Sequence, residues 1–320
     1  MSEFGGPTLA CDLGGTRIKV GLVHDGQVLA QSAIPAESEK GLAPRLPALS
    51  AAFFELLKSR ELRPESCQGV GVSFPSLVDN STGRILAEFG KYRDAMAVDL
   101  SAWARREFGL PLAIENDARM ALIGEWRHGA GRGCDNLVMM TLGTGIGTAA
   151  LIEGRVLRGV HGQAVILGGH TTVRYGGRRC NCGNIGCAEA EASTATLSQL
   201  TRDRADFAGS SLARESTVDF SAVFRHASSG DACAAAIRDH SLGVWSSLAV
   251  NLIQLFDPAV LIVGGGIMGS GEAILSYMRE HIDKFCPTYW GKVTLAASQL
   301  GDAAALLACE WLVQEHLKTS

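Results

Sequence analysis

Two stretches of this chain share one grammar, and that repetition restricts its possible folds more than any other feature. Residues 8–34, TLACDLGGTRIKVGLVHDGQVLAQSAI, give an apolar run, a Gly-Gly turn, an alternating run, an HDG turn and another short strand. Residues 136–157, NLVMMTLGTGIGTAALIEGRVL, repeat that order with a Gly-rich turn and an EG turn. Apolar runs punctuated by turn residues in this way predict three-stranded meanders. Helical spacing follows each of them, over 42–60 and 234–256, and then a buried strand, QGVGVSF or AVLIVGGG. The order βββαβ, present twice, predicts an α/β protein with two mixed sheets rather than one parallel sheet. It reads as a structural duplication at low sequence similarity.

PLAIENDARMALIGEWRHGAG adds a strand, a polar break and a helix, and DAAALLACEWLVQEHL near the end reads as an amphipathic helix. No long Pro/Ser linker divides the chain, so the boundary, near 118–135, rests on the repeated pattern alone. The expected organisation is a smaller N-terminal lobe over 1–118, completed by the C-terminal helix at about 302–318, and a larger lobe over 119–301. A length of 320 residues suits two such lobes.

Composition excludes several classes. With 47% hydrophobic and 19% charged residues the chain is an ordinary globular protein. A net charge of −4 offers no basic patch for nucleic acid. No run approaches the roughly 20 apolar residues of a membrane span, and no basic-then-apolar leader opens the sequence. Nine cysteines, an odd number, then fit reduced thiols in a cytoplasmic protein, a few of them held on metal.

Three Gly-rich turns carry the first functional signal. CDLGGTRIKV joins an acid at a strand end to Gly14, Gly15 and Thr16. Glycines let backbone N–H groups approach phosphate oxygens, Thr16 adds a hydroxyl, and Asp12 is placed to hold a hydrated Mg²⁺. Alone, this is equally a hairpin turn. LGTGIGT, with Gly143, Thr144, Gly145 and Gly147, occupies the same place in the second meander, and two such loops could clamp a triphosphate from both sides. VGGGIMGSGEAI, with Gly265 and Gly266, follows a strand and opens a helix, which suits the adenosine end or α-phosphate. No G-x-x-x-x-G-K-[ST] is present, and no suitable acid follows GGGIMG, so neither a P-loop nor a dinucleotide fingerprint applies.

Asn116 and Asp117 fall between a strand and a helix. Either is a commonplace helix cap. A carboxylate there also suits a general base that accepts the proton of an alcohol attacking phosphorus. With phosphate loops on either side in sequence, catalysis by Asp117 is favoured, with Asn116 orienting the substrate.

His170, Cys180, Cys182 and Cys187 put one imidazole and three possible thiolates within eighteen residues. This Cys₃His set suits tetrahedral Zn²⁺, and four protein ligands leave no open position, which favours a structural ion.

Taken together, these motifs resemble the ROK family of sugar kinases and repressors, within the actin-like ATPase (ribonuclease H-like) superfamily. The likeness spans nearly the whole chain: D-x-G-G-T at 12–16, N-D-A at 116–118, LGTGIG at 142–147, G-H at 169–170 and C-x-C-G-N-x-G-C-x-E at 180–189. It implies a two-lobed fold with a zinc-bound loop and ATP with Mg²⁺ as cosubstrate. It further implies a sugar held between the lobes, Asp117 as base, Asn116, His170 and Glu189 as sugar contacts, and a homodimer. His170 would then serve metal and sugar through its two ring nitrogens. A repressor would need a helix-turn-helix ahead of a first strand expected near Thr8, which leaves no room for one.

Departures from the family pattern cluster on the sugar pocket. Leu167 stands where hexose-specific members usually carry a sugar-binding Glu, Pro75-Ser76 where Pro-Gly is common, and Phe89-Gly90 where Asn-Leu is common. Ser76 is therefore counted among the substrate positions. A sugar hydroxyl facing Leu167 loses a charge-assisted partner, at a cost of about 1–3 kcal/mol. The expectation is a working kinase with an unusual acceptor, and the alternative is a sugar-binding protein without turnover.

Overall fold

The computed structural model describes residues 5–319. The chain divides into two compact units. Among the described residues the first comprises 5–132, 158–164 and 300–319, and the second 133–157 and 165–299.

In the first unit, β1 (Thr8–Leu13), β2 (Arg17–His24) and β3 (Gln27–Pro35) form the expected antiparallel meander. Helix α1 (Leu46–Ser59) leads to β4 (Gly69–Phe74), which pairs parallel with β1. A hairpin that the sequence pattern does not announce follows, of two-residue strands β5 (Val78–Asp79) and β6 (Arg84–Ile85). Next come α2 (Leu100–Phe108), β7 (Leu112–Asn116), parallel to β4, and α3 (Asp117–His128). The sheet order is β3-β2-β1-β4-β7. Leu9, Cys11, Val70, Val72 and Ile114 turn one face of it towards Phe53 of α1 and Trp103 of α2. Both β4 and β7 are buried at every residue, as suits central parallel strands covered on both faces.

The second unit repeats the design. Strands β8 (Leu137–Leu142), β9 (Ile146–Ile152) and β10 (Arg155–Val156) make its meander. Short helices α4 (Ala188–Ala192) and α5 (Thr194–Arg202) follow the cysteine-rich loop. They precede α6 (Phe220–Ser228) and the long α7 (Ala232–Phe256). Strand β11 (Val260–Gly264), parallel to β8, then α8 (Gly271–Phe285) and β12 (Thr294–Ala297) complete the order β10-β9-β8-β11-β12. The two orders match strand for strand, which is the duplication expected from the meanders. The third strand of the second meander is shorter than its sequence suggests.

The chain ends in α9 (Ala304–Thr319), which packs within the first unit on β1, β4 and α3. Its approach is close: a Cβ on Gly71 of β4 would lie 2.5 Å from Cβ of Cys309, so only glycine fits there. Helix α3 lies against α9, so the first unit runs past residue 118 to residue 132. Among the described residues no helix is long and apolar enough to cross a membrane.

Candidate functional site

Strand β7 is buried along its whole length and delivers Asn116 and Asp117 to the junction with α3. Asn116 leaves the strand in extended geometry, and its Oδ1 accepts from the N–H groups of Ala118 (3.1 Å) and Arg119 (3.4 Å), which caps the helix. Its Nδ2 donates to the carbonyl of Ser76 (3.1 Å) and to Asp117 Oδ1 (3.0 Å). The amide is thus occupied within the protein and orients the Asp117 carboxyl.

The Asp117 side chain reaches solvent on one side and is crowded by protein on the others. That desolvation, then the negative charge of Asp12, outweigh Lys91 and the hydrogen bonds from Ala118 N–H and Asn116, and push its pKa up to about 6. Such a carboxyl is poised to exchange protons near neutral pH.

Beneath it is a buried ion cluster that sequence reasoning missed. Glu115 accepts from Arg119 Nη1 (3.1 Å), Arg158 Nε (2.6 Å) and Asn116 N–H (2.9 Å), with both Glu115 and Arg119 almost wholly buried. Arg119 Nη2 also donates to the carbonyls of Gly162 (3.0 Å) and Ala164 (2.9 Å). This clip ties the 158–164 segment to the start of α3. Its members lie up to 43 residues apart, and no local pattern marks them.

In the first Gly-rich loop Asp12 lies near the end of β1. Ser73 Oγ donates to its Oδ1 (2.8 Å), and Lys19 Nζ lies 3.6 Å from its Oδ2. The Gly14 N–H turns back to the carbonyls of Asp12 and Arg17. Among the described residues, no protein acceptor takes the N–H groups of Gly15 and Thr16. Ser76 is buried, and its hydroxyl donates to the carbonyl of Ala87 (2.6 Å), which braces the segment around Phe89. Phe89 itself is exposed.

In the second unit, Gly143 and Thr144 offer their carbonyls to the N–H groups of Thr194 and Ala195 at the start of α5. Glu189, on α4, accepts from the Ile146 N–H (2.9 Å) and lies beside Gly145. Gly265 has φ +97°, and a Cβ on it would meet the Leu142 backbone; only glycine lets this third loop lie against the second. Gly266 follows as the start of a 3-10 turn that leads into α8.

The cysteine loop brings its four expected donors together. His170, Cys180, Cys182 and Cys187 each present an atom within 4.8 Å of the others. Cys180 Sγ is 3.4 Å from His170 Nδ1, and Cys182 Sγ is 3.7 Å from Cys187 Sγ. Metal bonds of ~2.3 Å to sulfur and ~2.0 Å to nitrogen in a tetrahedron require donor separations of roughly 3.5–3.8 Å, so the set fits zinc. Burial, then the neighbouring Cys182 and Cys180, push the Cys187 thiol up to about 12, and a cation at the centre would draw the protons off. The loop is pinned to α4 by the buried Glu191, which accepts from Arg178 N–H (2.5 Å). With Nδ1 towards the thiols, His170 Nε2 lies 3.9 Å from Glu189 Oε1. Leu167 precedes the 3-10 turn Gly168–His170, and its carbonyl accepts the His170 N–H (2.9 Å).

The chain resembles known proteins over nearly its whole length. The model of the ROK family matches residues 8–316. A glucokinase of Thermotoga maritima is 31% identical over 97% of this chain and 98% of its own length. A ROK family glucokinase from Streptomyces griseus, solved in complex with glucose and AMPPNP, is 29% identical with a TM-score of 0.78, covering 97% of this chain and all of that one. A xylose repressor of Bacillus subtilis is 27% identical over 79% of this chain and 62% of the repressor. The two matched sheets are those of the actin-like ATPase fold. Because the family model runs from β1 into α9 and takes in both sheets, the chain belongs to the ROK family.

Proposed function

We propose that this enzyme transfers the γ-phosphoryl group of ATP to a hydroxyl of a sugar or sugar derivative, with Asp117 as general base. The observation that carries the reading is the β7–α3 junction. There a carboxyl with a pKa raised to about 6 is oriented by Asn116 and the Ala118 N–H, in the same unit as a phosphate loop with unclaimed N–H groups. Similarity to full-length glucokinases supports the same chemistry.

In this reading the phosphates of ATP take the N–H groups of Gly15 and Thr16 with the Thr16 hydroxyl, and the loops at Gly143–Gly147 and Gly265–Gly266. Asp12 would hold a hydrated Mg²⁺, which when bound neutralises phosphate charge. Ser73 and Lys19 fix the Asp12 carboxylate for that task. Asp117 accepts the proton of the acceptor hydroxyl as its oxygen attacks phosphorus. His170 and Glu189 bind the sugar, and a structural zinc on His170 Nδ1, Cys180, Cys182 and Cys187 keeps the imidazole turned so that Nε2 faces Glu189.

Leu167, three residues before His170, makes the acceptor one that is less hydroxylated or differently substituted where hexose-specific relatives use Glu. The family resemblance also supports a homodimer, which light scattering reads directly. Similarity to a xylose repressor supports a second reading, a sugar-binding protein without turnover. ADP release across a panel of sugars, sugar acids and amino sugars, with Asp117→Asn as control, separates the two. Turnover that depends on Asp117 upholds the kinase; sugar binding without such turnover upholds the sensor.

A further inference from the structure

Segment 88–92, EFGKY, carries no periodicity, yet it is built against the first phosphate loop. Tyr92 is fully buried with φ +54°, a left-handed conformation that a bulky side chain adopts only when its surroundings hold it there. Its hydroxyl donates to the Gly14 carbonyl (2.7 Å), and its N–H donates to the Ser38 carbonyl (2.9 Å). Ser38 in turn donates its hydroxyl to the Gly15 carbonyl (2.9 Å). Two successive carbonyls of the loop are therefore drawn back by hydroxyls from separate segments. The Gly15 and Thr16 N–H groups keep no protein acceptor among the described residues.

Tyr92 also fixes the residue before it. The Lys91 side chain lies across Gly15: a Cβ on that glycine would stand 2.9 Å from Lys91 Cε and 3.4 Å from Nζ. Lys91 is half-buried, and among the described residues no carboxylate lies within 4.0 Å of its ammonium. Its charge is nevertheless felt at Asp117, whose ionisation it favours. A partly desolvated ammonium with no carboxylate within 4.0 Å among the described residues, held against Gly15 and within electrostatic reach of Asp117, suits an anion.

We propose that Lys91 is a catalytic residue that contacts the γ-phosphoryl group of the nucleotide and stabilises the charge spread over its oxygens during transfer. The inference rests on the kinase reading above. In the step it serves, the bond from the γ-phosphorus to the bridging oxygen of ADP breaks. A bond from the acceptor oxygen to phosphorus forms, and the hydroxyl proton passes to Asp117. Lys91 keeps its protons throughout and acts as a point charge. Tyr92 and Ser38 are positioning residues that shape the loop.

The test compares wild type, Lys91→Met and Lys91→Arg, each checked for an unchanged melting temperature, on the sugar that wild type turns over best. Lys91→Met is expected to lower kcat by about 10²–10³-fold, the scale of losing one donor to developing charge. The sugar KM should stay within about twofold, and Lys91→Arg should recover at least roughly a tenth of the wild-type kcat. Calorimetric binding of ATP and ADP with Mg²⁺ gives an arm that needs no turnover. Lys91→Met should weaken ATP by at least about tenfold and leave ADP within about twofold, as expected for a charge-assisted contact to the γ-phosphate alone. The proposal is overturned if kcat survives, if the sugar KM rises instead, or if ATP and ADP change alike. Should wild type show no turnover on any sugar, the kinase reading fails by itself, and the ATP-against-ADP comparison still decides the Lys91 contact.

Discussion

Glu189 Oε1 lies 3.9 Å from Nε2 of His170, while the same carboxylate takes the Ile146 N–H at 2.9 Å. One residue of α4 thus faces both the imidazole of the Cys₃His cluster and the second Gly-rich loop.

The cluster should hold one zinc per chain by elemental analysis. Cys187→Ser should bind far less metal and, with several kcal/mol of stabilisation removed, melt at least ~5 °C lower. Sugar affinity should fall with it, because His170 Nε2 is no longer aimed. A metal-free preparation with wild-type melting temperature and sugar KM would contradict the structural role.

The raised pKa of Asp117 makes two linked statements about pH. Catalysis needs the carboxylate, so kcat/KM should rise with pH through about 6 and level off above it. Stability runs the other way: a carboxyl whose folded pKa is raised favours the folded state while protonated, and that contribution is lost as pH rises through about 6. Asp117→Asn should therefore melt higher than wild type at pH 8 and alike at pH 4. A variant that is destabilised at pH 8 would sink this part.

Arg119→Met should strand the buried Glu115 and free the 158–164 segment, at a cost of about 3–5 kcal/mol in denaturant unfolding. Its kcat should fall more than its ATP affinity, because the clip sits under Asp117. A loss below 1 kcal/mol would mean that the cluster is replaceable.

Leu167→Glu should restore a charge-assisted partner for a sugar hydroxyl. For plain glucose the expected gain is about 5- to 100-fold in kcat/KM, from roughly 1–3 kcal/mol. If wild type already binds glucose tightly and phosphorylates it quickly, the unusual-acceptor reading is wrong.

What was legible in the sequence is what local pattern encodes. The two meanders, their matching sheet order and the tight cysteine loop follow from apolar runs, Gly turns and close donor spacing. Asp117 was legible because a strand end and a helix start bracket it. Asn116 was legible as a helix cap, and its amide donates to the Ser76 carbonyl and to Asp117. The Glu115–Arg119–Arg158 cluster was not legible, since buried ions 43 residues apart leave no periodic trace. Nor were Lys91 and Tyr92, whose roles depend on a left-handed residue in an irregular segment. The signal there was that Phe89-Gly90, within AEFGKYRD, departs from the family pattern.

The most direct test of the central claim is single-turnover and steady-state phosphorylation of the best sugar by wild type and Asp117→Asn. Loss of a positioned general base predicts a fall in kcat of about 10²–10⁴-fold with the Kd for ATP within about threefold. Turnover by Asp117→Asn within tenfold of wild type would contradict it.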